Sequence, residues 1–156
     1  MADPITKDEV RQLIQEWGRL HDEHAPVSAY LPIIAEKDFE IRSGAQVWKG
    51  RAGLEAHEDM KQQFFDEKHL YNSIELVSAT GDQAEAKSVL TWEARTREAQ
   101  APRSTSIKAV IQHTWEFTRN RTGQPVILRH TLDKLSHLPG FEPAKPLPFE
   151  LPAQKP

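Results

Sequence analysis

The chain has 156 residues, 38% of them hydrophobic and 28% charged, with a formal net charge of −3. That length fits one domain with one core, and the balance of apolar and charged residues excludes a disordered chain. No apolar run approaches a membrane span, no long basic stretch points to nucleic acid, and the absence of cysteine removes disulfides, thiol nucleophiles and thiolate metal sites. The N-terminus lacks the basic-then-apolar pattern of a signal peptide, so a cytoplasmic location is expected.

The first element is a helix. Thr6 followed by Glu9 makes a capping box, and Ile5 with Val10 makes the accompanying hydrophobic staple. Val10, Leu13, Ile14 and Trp17 recur at helical spacing, with Leu20, His21 and His24 extending the stripe to Pro26, where the helix is expected to end. His21 lies nearer the centre of that stripe than Asp22. "VSAYLPIIA" reads as a short second helix interrupted near Pro32. "DFEIRS" and "AQVWKG" read as two strands paired across Ser43 and Gly44, and a third helix is expected from about Gly50 to Lys68. On it Gly53, Ala56, His57, Met60 and Phe64 share a face.

After His69 the pattern becomes β. "LYNSIELVSA", "QAEAKSVLTWEART", "TSIKAVIQHTWEFTRN" and "PVILRHTLDKLS" read as long strands, separated by turns at "TGD", "EAQAPRS" and "RTGQP". Sequential long strands with short connections predict an antiparallel meander, and helices followed by sheet predict an α+β domain. The tail "PGFEPAKPLPFELPAQKP" is too rich in proline for helix or central strand. It is expected as an extended arm, residues 139–156, laid over a neighbour or hanging free of a single domain at residues 1–138.

Period 2 assigns the inward faces. One face of the third long strand carries Ile107, Ala109, Ile111, His113, Trp115 and Phe117. Ala86, Ser88, Leu90, Trp92 and Ala94 align likewise, as do Val126, Leu128, His130 and Leu132. Histidines among aromatic walls suit a small organic ligand. Taken alone, each inward histidine or tryptophan is equally readable as a core residue.

This order of elements resembles the nuclear-transport-factor-2-like fold and, within it, the SnoaL-like family. Three stretches carry the resemblance, which spans about residues 5 to 138: "VRQLIQEWGRLHD", "VWKGRAGL" and "KHLYNSIEL". It implies three N-terminal helices on the concave face of a strongly bent antiparallel sheet that encloses a pocket. Dimers or trimers of identical chains are usual for such a fold. The branch that includes scytalone dehydratase and hexachlorocyclohexane dehydrochlorinase pairs a histidine with an aspartate, and the matching positions here are His69 and Asp22. Those residues would then serve a lyase or isomerase acting on a small hydrophobic, cyclic substrate without cofactor or metal. An imidazole titrates near neutrality and can carry a substrate proton, while a carboxylate fixes its tautomer. The wall would draw on Trp17, His21, Tyr30, Trp48, Phe64, Trp92, His113, Trp115 and His130. Tyr30 or Tyr71 could donate to a substrate oxygen. His21, His57, His69, His113 and His130 could instead converge on a metal, but no close-spaced ligand motif supports it. Two other readings fit the same resemblance: a binding or assembly module without catalysis, and the small subunit of a ring-hydroxylating oxygenase.

Overall fold

The computed structural model describes residues 3–96, 105–143 and 147–149. The expected turn "EAQAPRS" and the last residues of the tail lie outside them. Helix α1 runs Lys7–Asp22, with Thr6 and Glu9 completing a reciprocal capping box and both Ile5 and Val10 buried in one cluster. It stops four residues short of Pro26. Ala25 N–H donates to Leu20 O at 2.9 Å and His24 N–H to His21 O at 3.1 Å, with His24 at φ +49°. These bonds form a Schellman cap, unusual in placing histidine where glycine is favoured. The expected second helix is a pair of 3₁₀ turns, Val27–Ala29 and Leu31–Ile33.

Strands β1 (Glu40–Ser43) and β2 (Gln46–Lys49) form the hairpin, and helix α2 follows over Gly50–Lys61. A Cβ on Gly53 would sit 2.4 Å from the backbone carbon of Trp48, so only glycine lets α2 pack this closely on β2. The buried face of α2 is Leu54, His57 and Lys61, so of the expected set Gly53, Ala56, His57, Met60 and Phe64 only His57 lies on it. The helix also ends seven residues early. Residues 64–68 belong instead to β3 (Phe64–Thr80), whose pairing with β4 outweighs the helical propensity of Glu67 and Lys68.

Strands β4 (Gln83–Thr96), β5 (Thr105–Arg119) and β6 (Pro125–His137) complete a six-stranded sheet of order β2-β1-β6-β5-β4-β3. The meander β3 to β6 is antiparallel, whereas β1 joins β6 in parallel, Ile41 facing His130, so the sheet is mixed. Helix α1 lies across β3 and β6, and α2 lies on β1 and β2.

The β4 and β5 inward faces read by period 2 are all buried. Bulges alter the others. In β3, register shifts at Phe65/Lys68, Tyr71/Ser73 and Leu76/Ser78 keep Glu67, His69, Tyr71, Ile74 and Leu76 turned toward the helices. In β6 a shift at Glu116/Phe117 sets Ile127, fully buried, opposite Phe117. Leu128, expected inward, is only half-buried.

Two apolar clusters result. One joins α1 to Tyr30, Phe39, Trp115, Phe117 and Ile127. The other joins Phe64, Leu90, Trp92, Ile107 and Ile111 to Leu147 and Phe149. The described part of the arm therefore packs on its own domain, with Ser43 Oγ donating to Phe149 O and Gln46 Nε2 to Pro148 O at 3.1 Å.

Candidate active site

A cavity lies between the two clusters, lined by residues from both helices, the hairpin, β3 to β6 and the arm. Its volume is about 50 Å³, so it is a narrow slot.

His69 projects into it from β3. Its Nδ1 lies 2.6 Å from Asp22 Oδ1, and its backbone N–H donates to Asp22 Oδ2 at 3.2 Å. A carboxylate can only accept, so Nδ1 carries the proton and Nε2, on the opposite side of the ring, is the basic nitrogen. Burial pushes the His69 imidazole below its ordinary value; the Asp22 bond pulls it up and the Lys61 charge pushes it down again. At neutral pH the ring is therefore a neutral base. Asp22, the last residue of α1, lies behind His69 and does not itself line the slot. The contact depends on Gly18, one turn earlier. A Cβ there would come within 2.8 Å of Tyr71 Cε2 and 3.2 Å of His69 Cβ.

His21 Nδ1 faces Trp17 O at 3.0 Å, and its Nε2 faces Glu58 Oε1 at 3.0 Å. Both partners are acceptors, so each ring nitrogen of His21 faces an oxygen and the side chain ties Trp17 to Glu58. Burial raises the Glu58 carboxyl, but His21 and His57 more than reverse this and hold it well below the usual carboxylate range. His57 Nδ1 approaches the same oxygen at 3.4 Å, and burial pushes His57 down to about 4. Among the described residues these three are the group that could hold a metal, their donor atoms all lying within 4.8 Å of one another. Of the five histidines weighed as a metal set, His69, His113 and His130 fall outside it.

His113 and His130 also line the slot, 4.1 Å apart between ring centres, with His130 stacked on Trp115 at 4.1 Å. Burial pushes His113 to about 3 and His130 well down, so both are neutral. Neither His130 nitrogen, nor His113 Nδ1, nor the Tyr71 hydroxyl has a protein partner among the described residues. A ligand or water must satisfy such buried groups.

Of the remaining wall candidates, Trp17, Trp48 and Trp92 line the slot. Tyr30, Phe64 and Trp115 do not. Tyr30 is fully buried beneath Trp17 and His21, Phe64 packs edge-on to Trp92, and Trp115 donates to Ser88 Oγ at 2.8 Å behind His130. The residues that sequence reasoning missed are Ile41, Arg42, Ser43, Lys61 and Phe149. For Lys61 the only signal was its i+4 spacing from His57.

No family model matches the chain, and no curated protein matches it. Solved structures do. An assigned aromatic ring hydroxylase from Novosphingobium aromaticivorans shares 16% identity at a TM-score of 0.71, over 83% of this chain and 91% of that one. A protein of the same organism assigned as a scytalone dehydratase shares 14% at 0.64, over 84% and 86%. The LinA-type hexachlorocyclohexane dehydrochlorinase of Novosphingobium barchaimii shares 16% at 0.62, over 90% and 94%. At these identities the likeness shows the fold, which is the cystatin-like architecture of nuclear-transport-factor-2-like proteins.

Proposed function

We propose that the slot is the active site of a lyase or isomerase in which His69 Nε2 removes a proton from carbon in a small, mainly hydrophobic, cyclic substrate. The carrying observation is the Asp22–His69 pair at 2.6 Å, which leaves an oriented, neutral imidazole nitrogen on an aromatic cavity. Asp22 fixes the tautomer and stabilises the imidazolium formed when the proton arrives. His113 and His130 offer hydrogen bonds to substrate oxygens, since His113 Nδ1 and both His130 nitrogens lack protein partners among the described residues. Trp17, Trp48 and Trp92 enclose the ring of the substrate. Transfer of the proton from carbon to a leaving hydroxyl or halide is a dehydratase-like elimination; its return to another carbon is an isomerisation. The dehydratase and dehydrochlorinase neighbours favour the elimination.

The test is proton exchange. Small cyclic ketones and β-hydroxyketones are incubated with the protein in heavy water, and NMR follows both deuterium incorporation and loss of water. Exchange with at least one compound, abolished by His69→Ala, is the expected result. Ligands that bind without any protein-dependent exchange would make the chain a binding module instead.

A further inference from the structure

We propose that Lys61 makes one end of the slot an oxyanion-binding pole, so that the substrate is a carbonyl compound whose enolate oxygen Lys61 receives. The inference rests on the proton-transfer reading for turnover, but not for binding.

Lys61 is an ammonium in a place that disfavours one. Its side chain is 8% exposed, and its Nζ lies 4.8 Å from the ring centre of Trp92, 5.5 Å from Phe64 and 5.7 Å from Phe149. Burying an ion is costly even after relaxation, and an apolar residue of that size would often be as stable or more so. Three separate elements nevertheless hold it there. Glu67, 1% exposed, sits on the β3 bulge next to Asp66 at φ +50°, and its Oε1 lies 2.5 Å from Lys61 Nζ. The same oxygen accepts from Trp92 Nε1 at 3.0 Å, and Oε2 meets His24 Nε2 at 3.0 Å. His24 is itself the residue forced to φ +49° at the end of α1. The hydrogen bonds between Asp22 and His69 involve none of these groups.

An ammonium carries three donors, and Glu67 Oε1 takes one. The surrounding rings attract the charge through their faces and shield it from water without consuming a donor. Lys61 and His69 line one slot, with Trp92, Phe149, Ile111 and Leu132 as apolar walls. A flat conjugated molecule fits between such walls, its oxygen at Nζ and its adjacent carbon toward Nε2. The step balances within the molecule. His69 takes the proton from carbon, the C–H electron pair becomes a carbon–carbon π bond, and the carbonyl π pair moves onto oxygen, where Lys61 donates. Return of that pair expels a hydroxide from the β carbon, which leaves as water with the proton from His69. A donor held ready where charge develops is worth far more in a dry site than in water.

The probe is 4-nitrophenol, a stable stand-in for an enolate, whose coloured anion is distinguished by absorbance from the neutral phenol. Bound to the wild-type protein it should ionise at least about tenfold more readily than in buffer. Lys61→Arg should retain most of this preference, and the double variant Lys61→Met/Glu67→Gln, which strands no buried charge, should lose it with its melting transition intact. Selective binding of the neutral phenol would overturn the assignment, as would absence of binding or an unchanged preference in the double variant. His69→Ala should keep the preference. If it does while the wild type exchanges no substrate proton, the proton-transfer reading fails and the oxyanion pole stands.

Discussion

Asp22 grips His69 with both carboxylate oxygens, Oδ1 on the ring at 2.6 Å and Oδ2 on the backbone N–H at 3.2 Å. One side chain thus sets the tautomer of the ring and the position of the strand that carries it. Asp22→Asn keeps the shape but can present an amide N–H to Nδ1, which then takes the other tautomer and moves the proton to Nε2. Turnover in the exchange assay should fall by roughly 10²–10⁴-fold with ligand affinity little changed. A loss confined to affinity would remove Asp22 from the chemistry and leave it a structural tie.

Gly18 is what lets that grip form. Glycine in a helix interior normally costs about 1 kcal/mol against alanine, so Gly18→Ala should stabilise α1 taken alone. Here the added methyl meets Tyr71 at 2.8 Å. Overpacking of this kind costs about 1–3 kcal/mol. The variant should therefore melt below wild type and lose proton exchange, because α1 must retreat from the strand bearing His69. A higher melting temperature with full exchange would show that the helix has room to spare.

Much of this arrangement is legible in the sequence, and what is not has identifiable causes. The cap of α1, the hairpin and the inward faces of β4 and β5 follow from local chemistry and an unbroken period of 2. In β3 and β6 the bulges break that period, and a bulge at Asp66 leaves no mark in "FFDEKHL" that distinguishes it from a helix. Nothing local in the sequence marks Glu58, Lys61 and Glu67, because their partners, His21, Trp92 and each other, are brought together only by tertiary structure. Asp22 lies off the stripe of α1, yet it reaches His69 because it is the last helical residue before the Schellman cap.

The buried histidines make stability depend on pH. His113 is held at about 3 in the folded chain, by burial first and then by the charges of His69 and Lys61, against about 6.5 when unfolded. A ring that is neutral when folded and protonated when unfolded takes up a proton on unfolding. Its contribution is complete above about pH 6.5 and drains away as pH falls toward 3. His57 and His130 act in the same direction. The melting temperature should hold above neutrality and drop steeply below pH 6. In His113→Leu the slope near pH 5 should be shallower by about 1.4 kcal/mol per pH unit, one proton fewer. Parallel curves for the two proteins would mean that His113 is already protonated in the folded state.

Phe149 decides how large a ligand the slot admits. It lies 5.5 Å from Trp92 and 5.7 Å from Phe64 between ring centres, it is 7% exposed, and its carbonyl is tied to Ser43. It thereby narrows the cavity that it lines. Phe149→Ala removes a wall at the cavity rather than in a sealed core, so water can fill the gap. The stability loss should accordingly fall at or below the low end of the 3–5 kcal/mol typical of buried phenylalanine. Binding should broaden in the same variant: fused-ring ketones too wide for the wild type should gain affinity, and single-ring ketones, losing an aromatic contact, should weaken by a few-fold. Calorimetry with a one-ring and a two-ring ketone reads both effects together. If both ligands weaken equally, Phe149 is a contact residue and the width of the slot is set elsewhere.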